Sequence, residues 1–365
     1  MVLASLVIVS HSFTLGGFGP DPIARITHGE YTLGEVAVVL FFLLSGFLIT
    51  RSSVQSRSIG RFLWHRSLRV LPGYWVCLLV TAFVFAPLFH LIKKETFFIE
   101  SAFAYLRGNW AMFHASGFSI VRIMLPHPVA IGGVLNGNPH PWINGSLWSL
   151  PFECACYLAL ALLALCRVLR RSRLSFVLLF VLLWALYAFS ALDCEYFNEC
   201  FSDLGWLPLI KLTLFFSAGS VCYLYRDKIP ASKILFVISV CLLGFASACG
   251  SFGLVAPVAL SYAFLWVAFR LPIHRFDARG DFSYGTYIYA FPIQQGLVLL
   301  RIQENGFLFF LGATLLITVL FAVLSYRWVE SPCLKWKSFD FLCPIRKVFR
   351  LRPDGADAVL LPIAD

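Results

Sequence analysis

Two side chains with acid–base chemistry, His11 and Glu153, occur where the surrounding sequence is apolar enough to lie in a membrane. His11 follows an apolar run that begins at Val2, and Glu153 comes two residues after Pro151 at the start of another. An ionisable side chain is costly to bury in a bilayer, so it usually faces a bundle interior or a wet cavity and marks a proton, ion or substrate path. An imidazole titrates near neutral pH and suits general-base catalysis. The alternatives are a histidine bonded to water or a carbonyl at the membrane interface, and a glutamate that hydrogen-bonds a neighbouring helix.

Two arginines could bind phosphate. Arg66 and Arg69 are three residues apart, so they lie on one face of a helix. Guanidinium groups placed in this way could hold phosphates bidentately, as the diphosphate of a nucleotide carrier requires. The alternative is that they only anchor the chain at the membrane surface. We expect an interfacial helix here, with the next span beginning at Pro72 and with Tyr74 at headgroup level.

Smaller polar motifs interrupt the apolar background. Ser45 and Gly46 form a pair that permits the close approach of another helix. Ser283 and Tyr284 begin a late apolar segment, and a polar sequence that includes Glu330 closes the next one, where Arg327 and Glu330 could pair with each other. No spacing typical of metal ligands is present.

The composition predicts an all-α, polytopic membrane protein. Of the 365 residues, 59% are hydrophobic and only 13% are charged, which is far more apolar than a soluble protein of this length. A spanning helix needs about 20 mostly apolar residues. About ten such segments are found, near residues 1–18, 34–50, 70–91, 147–166, 174–192, 206–225, 233–250, 254–271, 283–300 and 307–326.

The net charge of +10 is unevenly distributed along the chain. With the N-terminus in the cytoplasm, 22 of the 29 Lys and Arg fall on the cytoplasmic side. This is the positive-inside pattern of a bacterial inner-membrane protein with both termini in the cytoplasm. The charge therefore sets topology and does not indicate a nucleic-acid partner.

The predicted topology also divides the chain. Residues 1–337 form one membrane domain, and residues 338–365 form a short basic cytoplasmic tail. The longest outer stretch, near 93–144, could cover an acceptor site. Cys194 and Cys200 flank a short loop on the oxidising outer face, where they form either a disulfide or two free thiols.

The order and spacing of these motifs resemble acyltransferase family three, the integral membrane acyltransferases that modify bacterial surface and exported glycans. The resemblance covers nearly the whole chain and implies transfer of an acyl group, usually acetyl, from cytoplasmic acyl-CoA to a sugar hydroxyl at or beyond the outer face. It rests on His11, the end of the second apolar segment at residues 41–50, the arginine segment at 66–74, Trp148 to Glu153, Ser283 with Tyr284, and Glu330 to Pro332.

Our hypothesis for the mechanism gives these residues the following roles. His11 acts as a general base on the acceptor hydroxyl or accepts the acyl group itself, and Glu153 orients or charges a neighbouring group. The expected partners are acyl-CoA as a donor substrate rather than a resident cofactor, a glycan or lipid-linked sugar, and membrane lipid. Residues expected to bind the donor are Arg66, Arg69, Tyr74, Ser283 and Tyr284. Rival interpretations are a lipid-linked glycan flippase or small-solute transporter, and a membrane sensor without catalysis.

Two positions depart from the family. An arginine precedes the first-helix histidine by eleven residues in the family, which here falls one position before Met1, so we expect either that the natural start lies upstream or that the gene is truncated. Ala290 stands where many members carry a histidine.

Overall fold

The computed structural model describes residues 1–55, 58–112, 135, 138–166, 172–191, 206–271 and 280–338. Within these ranges the regular structure is entirely helical, because in lipid a helix satisfies its own backbone hydrogen bonds. The α-helices are α1 (Val2–Gly16), α2 (Pro22–Ile26), α3 (Leu33–Gln55), α4 (Ile59–Val80), α5 (Ala86–Lys93), α6 (Ile99–Asn109), α7 (Leu150–Leu165), α8 (Leu174–Ala191), α9 (Trp206–Leu224), α10 (Lys233–Ala248), α11 (Phe252–Ala268), α12 (Ser283–Leu299), α13 (Phe307–Ser325) and α14 (Ser331–Lys335).

Each of the ten predicted apolar segments coincides with a helix. Among the described residues, five helical stretches are long and apolar enough to cross a membrane, and several shorter apolar helices accompany them. The chain is therefore an all-helical, multi-pass membrane protein. The count of ten spans and the orientation of the termini remain predictions. The five long stretches are Leu33–Gln55, Ile59–Lys93, Gly145–Leu165, Leu207–Leu224 and Phe307–Lys335.

The expectation of a separate interfacial helix before Pro72 is wrong. Helix α4 runs without interruption from Ile59 to Val80 with Pro72 inside it, and a π-helical turn, Thr81–Phe85, joins it to α5. A proline removes one backbone donor, but the rest of a long packed helix tolerates this loss. The arginine pair therefore lies on the same helix as Tyr74.

Glycines allow α3 and α9 to pack backbone against backbone. A Cβ atom at Gly46 would lie 2.0 Å from the carbonyl oxygen of Phe216, and one at Gly219 would lie 2.0 Å from that of Leu43. Small residues are what membrane helices use for such close contact. The predicted role of Gly46 in helix approach is confirmed, and this pair of helices forms a central part of the bundle.

The predicted outer stretch contains structure of its own. Helix α6 lies within it, and residues 138–149, which include the last residues of the outer stretch, run along α12 before α7 begins. Here the side-chain amide of Asn144 donates to the carbonyl of Ile288 (2.9 Å), and the hydroxyls of Ser149 and Tyr287 are 2.6 Å apart. Residues 113–134, the loop with Cys194 and Cys200, and residues 339–365 lie outside the described residues.

Candidate functional site

Two groups of polar side chains lie along α12, one beside its middle and second half and the other at its first residue. We call the first the histidine cluster (His11, Asp21 and His140) and the second the arginine cluster (Arg66, Arg69, Glu153, Asp281 and Glu330). On α12, Ser283 contacts the arginine cluster and Phe291 contacts His11. Eight residues of α-helix separate these two positions by about 12 Å.

The imidazole of His11 is half-buried in α1. Its ring meets the ring of Phe291 edge-on, with 5.1 Å between the ring centroids. The same phenylalanine contacts Gly145, where a Cβ atom would lie only 2.7 Å from the Phe291 ring. Glycine at position 145 thus lets the 138–149 segment pass against the ring that also contacts His11.

Two adjacent glutamines on α12 hold the elements around His11, and both are fully buried. The amide nitrogen of Gln294 donates to the carbonyl of Ile8 (3.0 Å) and to the hydroxyl of Ser12 (2.9 Å), on either side of His11 in the sequence. The amide nitrogen of Gln295 donates to the carbonyls of His140 (2.9 Å) and Trp142 (2.8 Å). A buried amide is costly unless it is hydrogen-bonded. These bonds therefore fix α1 and the 138–149 segment against one helix.

Asp21 is a buried carboxylate beside α1 that the sequence motifs did not single out. One carboxylate oxygen accepts from the backbone N–H of Leu33 (2.9 Å) and caps α2, and the other accepts from the hydroxyl of Ser10 (2.6 Å). Asp21 is thereby bonded to the residue that precedes His11. A negative charge nearby stabilises the imidazolium that forms when a histidine takes up a proton. The order Asp21–Pro22, a cap followed by proline, is the signal that could have drawn attention to it.

Arg69, in the arginine cluster, forms an ion pair with Asp281. Its guanidinium donates to the carboxylate of Asp281, which also accepts from the hydroxyl and the backbone N–H of Ser283. Burial would raise the pKa of Asp281, but the Arg69 charge and the bonds from Ser283 outweigh it and lower that pKa below its ordinary value. Asp281 was missed from the sequence, although it lies only two residues before Ser283.

Arg66 is less completely paired than Arg69. Its guanidinium donates to the hydroxyl of Ser52 (3.3 Å), and its buried Nε finds no hydrogen-bond partner among the described residues. Burial lowers the pKa of the Lys337 ammonium group, and the nearby charges of Arg69 and Arg66 lower it further. Because Arg69 already pairs with Asp281, Arg66 and Lys337 are the cations in this region that remain to attract a negatively charged ligand.

Glu153 belongs to the arginine cluster. Its carboxylate accepts from the hydroxyls of Tyr157 and Ser45, and Arg69 and Arg66 act on it electrostatically. Among the described residues, no hydrogen bond or ion pair joins Glu153 to His11. The two residues predicted to be catalytic are thus placed in different clusters.

Glu330 reaches the arginine cluster through a π-helical turn, Tyr326–Glu330, of the kind that often occurs at functional sites. It is 1% exposed, it accepts from the hydroxyl of Ser325 (3.1 Å), and Arg69 acts on it electrostatically. Its second carboxylate oxygen has no partner in the described part of the chain. The suggested pairing of Arg327 with Glu330 is not found there.

Tyr74 and Tyr284 use their hydroxyls within the protein. Tyr74 donates to the carbonyl of Asn109 (2.6 Å), and Tyr284 donates to that of Val70 (2.7 Å). The Tyr284 ring lies so close to Gly73 that a Cβ atom there would be 2.6 Å from it. In this structure they join α4 to α6 and to α12, and their role toward a donor remains a prediction.

Comparison with known proteins places these residues in context. A family model described as an acyltransferase domain matches residues 1–327. An O-acetyl transferase of Shigella phage Sf6 is 29% identical over 337 residues, which cover 91% of this chain and 93% of the relative. Nodulation protein 10 of Rhizobium leguminosarum bv. viciae is 26% identical over 360 residues, or 92% of this chain and 91% of the relative. No solved structure matches significantly.

Proposed function

The chain belongs to acyltransferase family three and is a multi-pass membrane enzyme that transfers acyl groups, and from this premise we propose its donor and acceptor. The donor is acyl-CoA in the cytoplasm, with acetyl as the acyl group. The acceptor is a hydroxyl of a surface or exported glycan at the outer face of the bacterial inner membrane.

One observation carries the proposal: the two polar clusters contact the same helix, α12, at Ser283 and Phe291, which lie about 12 Å apart along it. The phosphates of a CoA ester cannot enter hydrocarbon, and neither can a glycan. A reaction between them across a membrane needs an anion-binding group on the cytoplasmic side and a proton-accepting group further toward the outer side. The arginine cluster and the histidine cluster meet these two requirements.

The charge pattern supports the orientation. Arg66 and Lys337 lie at the end of the bundle that the positive-inside rule assigns to the cytoplasm. Because Arg69 is already paired with Asp281, Arg66 is the guanidinium with hydrogen-bonding capacity left for a phosphate. Arg69 then holds α4 to the start of α12 and contributes its charge to the same region.

The histidine cluster supplies the acid–base chemistry. His11 accepts the proton of the acceptor hydroxyl, whose oxygen then bonds to the acyl carbonyl carbon. The carbon–sulfur bond of the thioester breaks, and the departing thiolate takes up a proton. Asp21 stabilises the positive charge on His11 during this step. In the alternative route, the His11 ring nitrogen first accepts the acyl group and then passes it to the hydroxyl.

Mass spectrometry of surface polysaccharide from cells with and without the gene tests the proposal. We expect the polysaccharide of the deletion strain to lack one base-labile acyl ester per modified sugar. The wild-type gene restores the ester, and a His11→Ala gene whose product is present in the membrane does not. Polysaccharide of identical mass in both strains contradicts the proposal. A flippase or transporter would move its cargo unmodified, so its loss would change the amount of polysaccharide and leave its mass the same.

A further inference from the structure

An aromatic pair lies on the 138–149 segment beside the histidine cluster. The indole of Trp142 is 44% exposed. The imidazole of His140 lies next to it, with 6.2 Å between the ring centroids and 33° between the ring planes. The two rings thus lie side by side, with the indole exposed and the imidazole partly exposed.

The backbone under this pair is fixed. Gln295 donates to the carbonyls of both His140 and Trp142, and its own amide oxygen accepts from the side chain of Asn138 (2.7 Å). A tryptophan that only anchors a protein at the membrane interface needs no such support from a fully buried glutamine. An exposed aromatic ring on a rigid backbone loses little conformational entropy when a ligand binds it.

The pair is also fixed relative to His11. Gln294, the neighbour of Gln295 on α12, bonds to Ile8 and Ser12 on either side of His11. Gln295, the next residue, bonds to the carbonyl of His140, so neighbouring residues of α12 hold His140 and the turn of α1 that carries His11. A molecule held on the His140–Trp142 surface therefore has a defined position next to the proposed base.

The chemistry of this surface matches one class of ligand. A sugar ring has an apolar face of C–H groups and a rim of hydroxyls. An exposed indole can cover the C–H face and remove apolar area from water. An imidazole both donates and accepts hydrogen bonds, as the hydroxyl rim requires.

We infer that Trp142 and His140 form the subsite that holds a sugar ring of the acceptor glycan beside His11. This inference rests on the proposed function for its acceptor. Trp142 covers the face of the ring, His140 bonds to one of its hydroxyls, and a neighbouring hydroxyl reaches His11. Gln295 is a positioning residue for this subsite.

The test measures how tightly the purified protein binds unacylated polysaccharide, isolated from a strain that lacks the gene, with no acyl-CoA present. We expect Trp142→Ala to weaken binding about tenfold or more, as for a central aromatic contact, and Trp142→Phe to weaken it less. The matched control is Trp110→Ala. Trp110 is similarly exposed (48%) but stacks on Trp75, which belongs to neither the His140–Trp142 pair nor the histidine cluster, so the affinity of the Trp110→Ala variant is expected to stay unchanged.

The same variants are compared in the transfer assay, where Trp142→Ala should raise KM for the polysaccharide more than it lowers kcat. Wild-type affinity in Trp142→Ala overturns the subsite. Equal losses of affinity and thermal stability in Trp142→Ala and Trp110→Ala also overturn it, because both would then be membrane anchors. Because binding is measured without donor, the two claims can fail separately. If polysaccharide binding depends on Trp142 but the wild-type protein transfers no acyl group, only the proposed function is refuted. If the wild-type protein transfers the acyl group but polysaccharide binding does not depend on Trp142, only the subsite is refuted.

Discussion

Replacing Gln294 with methionine tests how the fold positions His11. The substitution nearly keeps the side-chain volume and removes the two hydrogen bonds to Ile8 and Ser12. A hydrogen bond between membrane helices contributes about 0.6 kcal/mol on average. The hydroxyl of Ser12 keeps its bond to the Ile8 carbonyl (2.8 Å), and the amide oxygen of Gln294 has no partner to lose among the described residues. The free energy of unfolding should therefore fall by only about 1 kcal/mol.

The effect on catalysis should be larger than the effect on stability. His11 lies between the two residues that Gln294 holds, and a displacement of about 1 Å at a reacting group can cost about 100-fold in rate. We expect kcat for acyl transfer to fall about 10- to 100-fold, with KM for acyl-CoA unchanged because the arginine cluster lies toward the other end of α12. Steady-state kinetics and thermal unfolding of the purified protein measure both effects.

The matched control is Thr314→Val on α13. It removes a fully buried hydroxyl that, among the described residues, bonds only to the Phe310 carbonyl of its own helix (2.8 Å). It should lower stability slightly and leave kcat unchanged. The reasoning is refuted if Gln294→Met keeps wild-type kcat, or if its kcat falls no further than that of the Thr314 variant.

Three further predictions concern other parts of the molecule. Gly46→Ala should lower the free energy of unfolding by about 3 kcal/mol or more, because the new Cβ atom would lie 2.0 Å from a carbonyl oxygen on α9. The control, Gly244→Ala, should not lower it, since no atom lies within 4 Å of a Cβ at that position. Equal unfolding temperatures of the two variants would contradict this packing. Asp281→Asn should cost only about 0.5–1 kcal/mol at neutral pH, since the pair with Arg69 is partly exposed. Folding lowers the pKa of Asp281 below its ordinary value of about 4. The stabilisation is therefore complete above about pH 4 and is lost as the pH falls through the lowered pKa of the folded state. A stability difference between Asp281→Asn and wild type that persists at still lower pH would argue against the ion pair. Arg66→Lys should raise KM for acyl-CoA about tenfold with little change in kcat, and an unchanged KM would remove Arg66 from the donor site.

The apolar helices could be predicted from the sequence because their length and composition are local properties. The break at Pro72 was predicted wrongly for the same reason. A proline disfavours a helix locally, but α4 continues through it because the helix packs on both sides of that position, with Phe62, Leu68, Gly73 and Cys77 buried.

The site was predictable residue by residue but not as an arrangement. His11 and Glu153 stood out as ionisable groups in apolar segments, yet they lie in different clusters. Their separation depends on how the 138–149 segment packs along α12, which Asn144, Gly145 and Gln295 determine through contacts between residues more than 140 positions apart. Such contacts leave no periodic signal in the sequence.

The central claim is that one bundle joins a donor-binding end to an acceptor end at which His11 does the chemistry. Proteoliposomes with uniformly oriented protein test it most directly, with acetyl-CoA supplied on the side of the arginine cluster and unacylated polysaccharide on the opposite side. The account predicts acetyl ester on the polysaccharide with the wild-type protein and none with His11→Ala reconstituted to the same level. Ester formation only when donor and acceptor share one side, or undiminished ester formation with His11→Ala, would contradict it.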